Sequence, residues 1–137
     1  MALILIVDDD PQLRAAAGRV LRLHGHETLE AADAREARQR VEESETAPQV
    51  ALMDLVLPDL AGRELASVLQ THVPGIKIIF TSGFTSREGR DLDVADHFLR
   101  KPFSVPDLVA AVQEALSGSR DAAGGSGSKE SGESESS

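Results

Sequence analysis

The sequence contains no cysteine, which excludes a disulfide framework, a thiolate metal site and a thiol nucleophile. It also lacks any apolar run approaching the roughly 18 residues that a membrane-spanning helix requires. Its first residues, MALILIVDDD, have no basic stretch of the kind that opens a signal peptide, and they lead directly into acidic residues. We therefore expect a cytoplasmic protein with no segment inserted in a membrane.

Basic residues are outnumbered, since 14 basic side chains stand against 23 acidic ones and the net charge is −9. This balance argues against a general nucleic-acid-binding surface. The four histidines show no HExxH or similar metal-ligand spacing. The segment 117–137 is almost without apolar side chains, so we predict a disordered Gly/Ser/Glu-rich tail or linker there. The segment 1–116 is long enough to form one domain with a hydrophobic core.

This predicted domain alternates strand-like and helical patterns. Continuous apolar runs such as ALILIV are typical of parallel strands that are covered on both faces. The predicted strands are 2–7, 26–31, 50–53, 76–80 and 95–99. The predicted helices run from Pro11 to just before Gly25, over 34–44 with Asp33 as the capping residue, over 60–69 and 86–91, and from the capping residue Ser104 to 116. Five such units predict an α/β fold with a doubly wound, five-stranded parallel sheet.

Polar residues follow several of these strands, at the edge where a parallel sheet binds its ligands. They are Asp8, Asp9 and Asp10 after the first strand, Asp54 after the third, Thr81 and Ser82 after the fourth, and Lys101 after the fifth. Simpler interpretations also fit these residues. Asp10 is placed to stabilise a helix N-terminus. Asp54 also fits a polar strand end, and Thr81 fits an ordinary strand residue. Lys101 also fits a solvated charge.

Four segments, each at a strand end and in this order, resemble the receiver domain of response regulators, the phosphoacceptor module of two-component signalling. They are ILIVDDDPQLR, ALMDLVLPDLAG, IIFTSG and FLRKPF. The resemblance covers residues 3 to about 116 and implies a flavodoxin-like (βα)5 fold with strand order 2-1-3-4-5. That order brings Asp8 and Asp9 next to Asp54. The segments TSGF and FLRKPF are similar to the corresponding segments of receivers that are attached to hybrid sensor kinases.

A cluster of carboxylates requires a cation, and all-oxygen ligands with retained waters suit Mg²⁺ better than Ca²⁺. The resemblance implies that Asp9 and Asp54 bind Mg²⁺ directly, whereas Asp8 acts largely through water. It also implies that the backbone carbonyl of Val56 is the third protein ligand.

The resemblance makes Asp54 the phosphoacceptor, which receives a phosphoryl group from a phosphohistidine of a sensor kinase or of a histidine phosphotransfer protein. Lys101 and Thr81 then contact phosphoryl oxygens, and the Lys101–Pro102 peptide bond is expected to be cis. Phe98 is either a plain core residue or a switch residue that rotates inward when Thr81 engages the phosphate. We expect a signalling phosphoacceptor rather than an enzyme, although one that promotes its own phosphorylation and dephosphorylation.

Hydrolysis of an acyl phosphate requires a water in line with the phosphorus, and the nearest side chains lie two residues past Asp54 and two past Thr81. These residues are Val56 and Gly83, whose side chains form no hydrogen bond to water, so we expect slow self-dephosphorylation. One departure from the family is Ala61, where an acid or Asn is usual.

Three other functions compete with this interpretation. A receiver-like scaffold that binds partners without phosphorylation predicts a missing acid, Thr or Lys, and none is missing. A Mg²⁺-dependent phosphohydrolase usually has a second Asp two residues after its nucleophile, and this chain has Val56 there. A flavin-binding module needs a hydroxyl- and glycine-rich phosphate loop after the first strand, where this chain has three acids.

Overall fold

The computed structural model of the protein describes residues 2–83 and 97–117, which form five strands and four helices. The strands are β1 Leu3–Val7, β2 Glu27–Ala31, β3 Val50–Asp54, β4 Lys77–Ser82 and β5 His97–Arg100. The helices are α1 Pro11–Leu23, α2 Ala34–Glu43, α3 Gly62–His72 and α4 Val105–Ser117. The helix predicted over 86–91 and nearly all of the predicted tail lie outside the described residues, so the domain boundary stays a prediction.

The five strands form one sheet in the order β2-β1-β3-β4-β5, and every neighbouring pair is parallel. The predicted fold class and strand order are therefore confirmed. Because β1 lies between β2 and β3, the carboxyl ends of β1 and β3 are neighbours at one edge of the sheet. None of the helices in the described part of the chain is long and apolar enough to cross a membrane.

Alternate residues of each strand face opposite sides of the sheet, and each side has its own hydrophobic cluster. The first cluster joins the sheet to α2 and α3 through residues such as Leu5, Met53, Phe80, Ala37 and Leu65. The second joins it to α1 and α4 through residues such as Ile6, Leu52, Ile79, Leu21 and Val112. Full burial of each large apolar side chain contributes about 1.5–3 kcal/mol to folding, so both faces hold the helices in place.

Three helices begin at side-chain caps that the sequence predicted. Asp10 accepts hydrogen bonds from the N–H groups of Gln12 and Leu13 at 3.0 and 3.3 Å. Asp33 accepts one from Glu36 at 2.8 Å, and Ser104 accepts one from Asp107 at 3.1 Å. The simpler interpretation of Asp10 is thus confirmed, because its side chain satisfies orphan donors of α1.

Two elements differ from the prediction by two residues or more at an end that the structure describes. The helix predicted over 60–69 begins at Gly62, since the loop residue Leu60 packs against the core from outside the helix. The strand predicted over 76–80 is Lys77–Ser82. Its start shifts because the N–H of Ile76 donates to the carbonyl of Val73, and its end is extended by pairing with β5.

Candidate functional site

The polar residues at the carboxyl edge of the sheet continue the apolar rows that face α1 and α4. Since alternate strand residues share a face, each row changes from apolar to polar at its last position. The rows are Ile4 and Ile6 on β1 with Asp8 just after it; Val50, Leu52 and Asp54 on β3; Ile79 and Thr81 on β4; and Leu99 on β5 with Lys101 just after it. This face therefore delivers two acids, one hydroxyl and one ammonium to a single place.

Lys101 bridges the two acids of these rows. Its Nζ lies 2.9 Å from Asp8 Oδ2 and 2.8 Å from Asp54 Oδ2. Both acids are nearly buried, with exposed fractions of 4% for Asp8 and 9% for Asp54. Burial alone lowers the pKa of Lys101, but its hydrogen bonds to Asp54 and Asp8 outweigh that effect and raise the pKa above its ordinary value of 10.5. The lysine is therefore charged and held between the acids.

The remaining oxygens of the two acids bind backbone N–H groups two residues further along the chain. Asp8 Oδ1 accepts from the N–H of Asp10 at 2.9 Å, and Asp54 Oδ1 accepts from the N–H of Val56 at 3.0 Å. Such local turns are typical of Asp at the end of a strand. They fix both carboxylates so that each Oδ2 points to Lys101.

Asp9 completes a group of three carboxylates. Oxygen atoms of Asp8, Asp9 and Asp54 all lie within 4.8 Å of one another. Two unit charges at that separation repel by about 3–4 kcal/mol at an effective dielectric constant of 20. Lys101 supplies one positive charge against three negative ones, so the group still favours a cation. Hard oxygen donors of this kind fit Mg²⁺.

The Thr81 hydroxyl is a buried polar group that lies beside the acids. The residue is 2% exposed, and within the described residues its Oγ1 has no hydrogen-bond partner. Thr81 pairs with Asp54 in the sheet register, and it lines a small cavity together with Asp8 and Phe103. A buried hydroxyl without a partner costs about 1–3 kcal/mol, and an acceptor oxygen placed at the site would remove that cost.

Phe98 lies away from these groups. It pairs with Phe80 in the register and packs, half-buried, against the cluster that faces α2 and α3. Thr81 belongs to the opposite face of the sheet, so the two residues do not touch the same cluster. The role of Phe98 as a switch stays a prediction. The Lys101–Pro102 peptide bond is cis, as expected.

Two contacts at the site were not predicted from the sequence. Arg14 Nη1 donates to the backbone carbonyl of Asp8 at 2.7 Å, and this contact holds the strand end to α1. Gly62 approaches the acceptor so closely that a Cβ there would lie 2.4 Å from the carbonyl oxygen of Asp54. Arg14 stands within the motif ILIVDDDPQLR, but its partner is a backbone atom, which no residue pattern identifies.

A family model described as the response regulator receiver domain matches residues 4–113. The chain is 35% identical over 118 residues to the sensor kinase CckA of Brucella abortus, a match that covers 84% of this chain and 12% of that protein. It is also similar to the transcriptional regulatory protein PrrA of Mycobacterium leprae and to the DNA-binding response regulator MtrA of Mycolicibacterium smegmatis, and it spans about half of the length of each. The full activities and partners of these longer proteins therefore do not transfer to this chain.

Two solved structures with a similar fold are also of response regulator proteins. The fold is similar to a CheY-like receiver domain protein from Methanospirillum hungatei, with a TM-score of 0.77 and 34% identity over 85% of this chain and 94% of that one. It is also similar to TrrA from Thermotoga maritima, solved in complex with Mg²⁺ and BeF, with a TM-score of 0.74 and 26% identity. That match covers 85% of this chain and 100% of TrrA.

Proposed function

Because the chain belongs to the response regulator receiver domain family, we propose that Asp54 is its phosphoacceptor and receives a phosphoryl group from a phosphohistidine. Members of this family are phosphoacceptors in two-component signalling and interact with histidine kinases. The donor proposed here is a sensor kinase or a histidine phosphotransfer protein. The observation that carries the assignment is the hydrogen bond from Lys101 to Asp54, beside the nearly buried Asp8 and the exposed Asp9.

In the proposed reaction, a carboxylate oxygen of Asp54 attacks the phosphorus of the phosphohistidine. A P–O bond forms as the P–N bond breaks, and the imidazole leaves with the electron pair and takes up a proton. The product is an acyl phosphate. Lys101 is within hydrogen-bond distance of Asp54, and its ammonium would contact a phosphoryl oxygen. The Thr81 hydroxyl, which has no hydrogen-bond partner among the described residues, would donate to another.

The acid cluster is the proposed Mg²⁺ site. Asp9 and Asp54 would bind the ion directly, Asp8 would act largely through water, and the backbone carbonyl of Val56 would complete the protein ligands. When bound, Mg²⁺ supplies positive charge that neutralises phosphoryl oxygens. The Mg²⁺–BeF complex of TrrA, a similar receiver, supports this assignment.

We also propose that the phosphorylated form is long-lived. Val56 is 64% exposed beside the acceptor, and its branched apolar side chain hinders the approach of water. Among the described residues, a Cβ on Gly83 would meet only Lys101 Cδ at 4.0 Å, and glycine has no side chain that could orient a water. Orientation contributes more than access in phosphoryl transfer, which is mostly a matter of positioning.

Signalling would follow from a rearrangement at β4 and β5. Once Thr81 engages the phosphoryl group, its shift would pass through the paired backbones of these strands to Phe98 on the other face. The half-buried position of Phe98 leaves room for it to become more buried.

Intact-mass measurement after incubation with acetyl phosphate and Mg²⁺ tests the acceptor. The wild type should gain a single phosphoryl adduct that base and hydroxylamine remove, and Asp54→Ala should gain none. Asp10→Ala is the matched control, because it removes a neighbouring acid that caps α1, and it should keep the adduct. The same adduct in Asp54→Ala would overturn the assignment. A wild type that never gains an adduct would favour the non-phosphorylated scaffold.

A further inference from the structure

The loop between β3 and α3, residues 55–61, carries a second carboxylate that binds a different element. We refer to these residues as the acceptor loop. One oxygen of Asp59 accepts from the N–H of Ala34 at 2.9 Å, and the other accepts from the N–H of Arg35 at 3.0 Å. Both donors belong to the first turn of α2, where N–H groups have no partner within the helix.

This contact is not required simply to begin the helix. Asp33 is the local cap of α2 and accepts from the N–H of Glu36 at 2.8 Å. Asp59 comes from 24 and 25 residues further along the chain than the two N–H groups that it accepts from. What Asp59 adds is a connection between α2 and the acceptor loop.

The start of α2 is a firm anchor for that connection. Ala34 and Ala37 are buried in the same hydrophobic cluster as Leu55 and Leu57 of the acceptor loop. The base of the loop is closed by the hydrogen bond from the N–H of Gly62 to the carbonyl of Leu55, at 2.8 Å. Asp59 therefore fixes the loop at a second point, away from its base.

We propose that Asp59 is a positioning residue for the phosphoacceptor: by binding two N–H groups of α2, it fixes the acceptor loop and with it the backbone of Val56 beside Asp54. The Val56 N–H is the group that holds Asp54 Oδ1, at 3.0 Å. The inference rests on the proposed function of Asp54. The N–H of Ala34 and then that of Arg35 hold the pKa of Asp59 below its ordinary value of 3.8, so the carboxylate is ionised at neutral pH.

Asp59→Ala and Asp33→Ala form a matched pair of variants in the full chain. Each removes one negative charge and one carboxylate from the start of α2, but only Asp59→Ala releases the acceptor loop. Thermal unfolding without Mg²⁺ should show a loss of a few degrees for both. Titration calorimetry with MgCl₂ should show about tenfold weaker binding for Asp59→Ala, the loss typical of groups that orient metal ligands, and a change below about twofold for Asp33→Ala.

Amide hydrogen exchange of the metal-free protein gives a readout that does not depend on Mg²⁺ or phosphorylation. Peptides covering 55–60 should exchange faster in Asp59→Ala and at the wild-type rate in Asp33→Ala. Asp59→Asn keeps one acceptor oxygen and should be intermediate in both measurements, and it replaces Asp59→Ala if that variant does not fold. Equal behaviour of the Asp59 and Asp33 variants in both measurements would overturn the positioning role. Failure of the wild type to bind Mg²⁺ would instead refute the metal site, and the exchange data would still test the connection.

Discussion

Gly62→Ala tests how closely α3 approaches the acceptor strand. A Cβ at position 62 would lie 2.4 Å from the carbonyl oxygen of Asp54 and 2.8 Å from Leu55 Cα. Carbon–oxygen contacts normally begin at about 3.3 Å, so the two segments would have to separate by about 0.9 Å. Both contacts are to backbone, and Asp54 is held in register by Thr81 on β4, so no flexible side chain absorbs the movement.

Two opposing effects set the size of the change. Replacing Gly by Ala within a helix gains up to about 1 kcal/mol, whereas forcing extra atoms into a packed site costs about 1–3 kcal/mol. Because backbone must move here, we expect the cost to prevail and the free energy of unfolding to fall by about 1–2 kcal/mol. That corresponds to a decrease in the unfolding midpoint of about 4–8 °C. Displacing the acceptor by nearly 1 Å should also slow phosphorylation at least about tenfold.

Gly75→Ala is the control, because a Cβ there meets no atom within 4 Å and the residue does not have the positive φ of Gly25. It should be neutral or stabilising by less than about 1 kcal/mol. Denaturant unfolding of the two variants and the rate of phosphorylation by acetyl phosphate provide the comparison. If Gly62→Ala matches Gly75→Ala in stability and the wild type in rate, the close approach of α3 does not constrain the acceptor.

Four further results are expected. Millimolar Mg²⁺ should raise the thermal unfolding midpoint of the wild type by mass action but not that of Asp9→Asn. Without Mg²⁺, Asp9→Asn should be more stable than the wild type because one of the repelling charges is lost. Equal Mg²⁺-induced shifts in the two proteins would argue against the metal site. After the phosphodonor is removed, the Val56→Asn, Gly83→Glu double variant should dephosphorylate faster than the wild type, and an unchanged first-order decay would show that these positions do not set the lifetime. Burial lowers the pKa of His97 below 6.5 in the folded state, so the unfolded state binds the proton more tightly and stability should fall as the pH drops below 6.5. Denaturant unfolding between about pH 5 and 8 should show a shallower slope for His97→Gln, and an identical slope would contradict the assignment. The N-cap residue of α3, Ala61, forms no side-chain hydrogen bond to the first turn of the helix. Ala61→Ser should therefore stabilise the protein by about 1 kcal/mol in denaturant unfolding. A variant no more stable than the wild type would show that this end of the helix needs no side-chain cap.

Elements set by local interactions were predictable from the sequence. The apolar runs gave the strands, and the caps Asp10, Asp33 and Ser104 each bind N–H groups within three residues. The predicted start of α3 was wrong because a distant contact competed with the local pattern. Leu60 has the apolar character of a helix face, but it packs into the core from the acceptor loop, and α3 begins two residues later.

The chemistry of the site was also present in the sequence, because carboxylates, a hydroxyl and an ammonium follow the strands whatever the order of those strands. The tertiary structure alone decided which atoms meet. Lys101 contacts Asp54 from 47 residues away, and Asp59 reaches α2 across a different pair of elements. These contacts depend on strand order and register, which bring distant residues to one edge of the sheet, and the alternation of side chains along each strand then determines the face on which they lie.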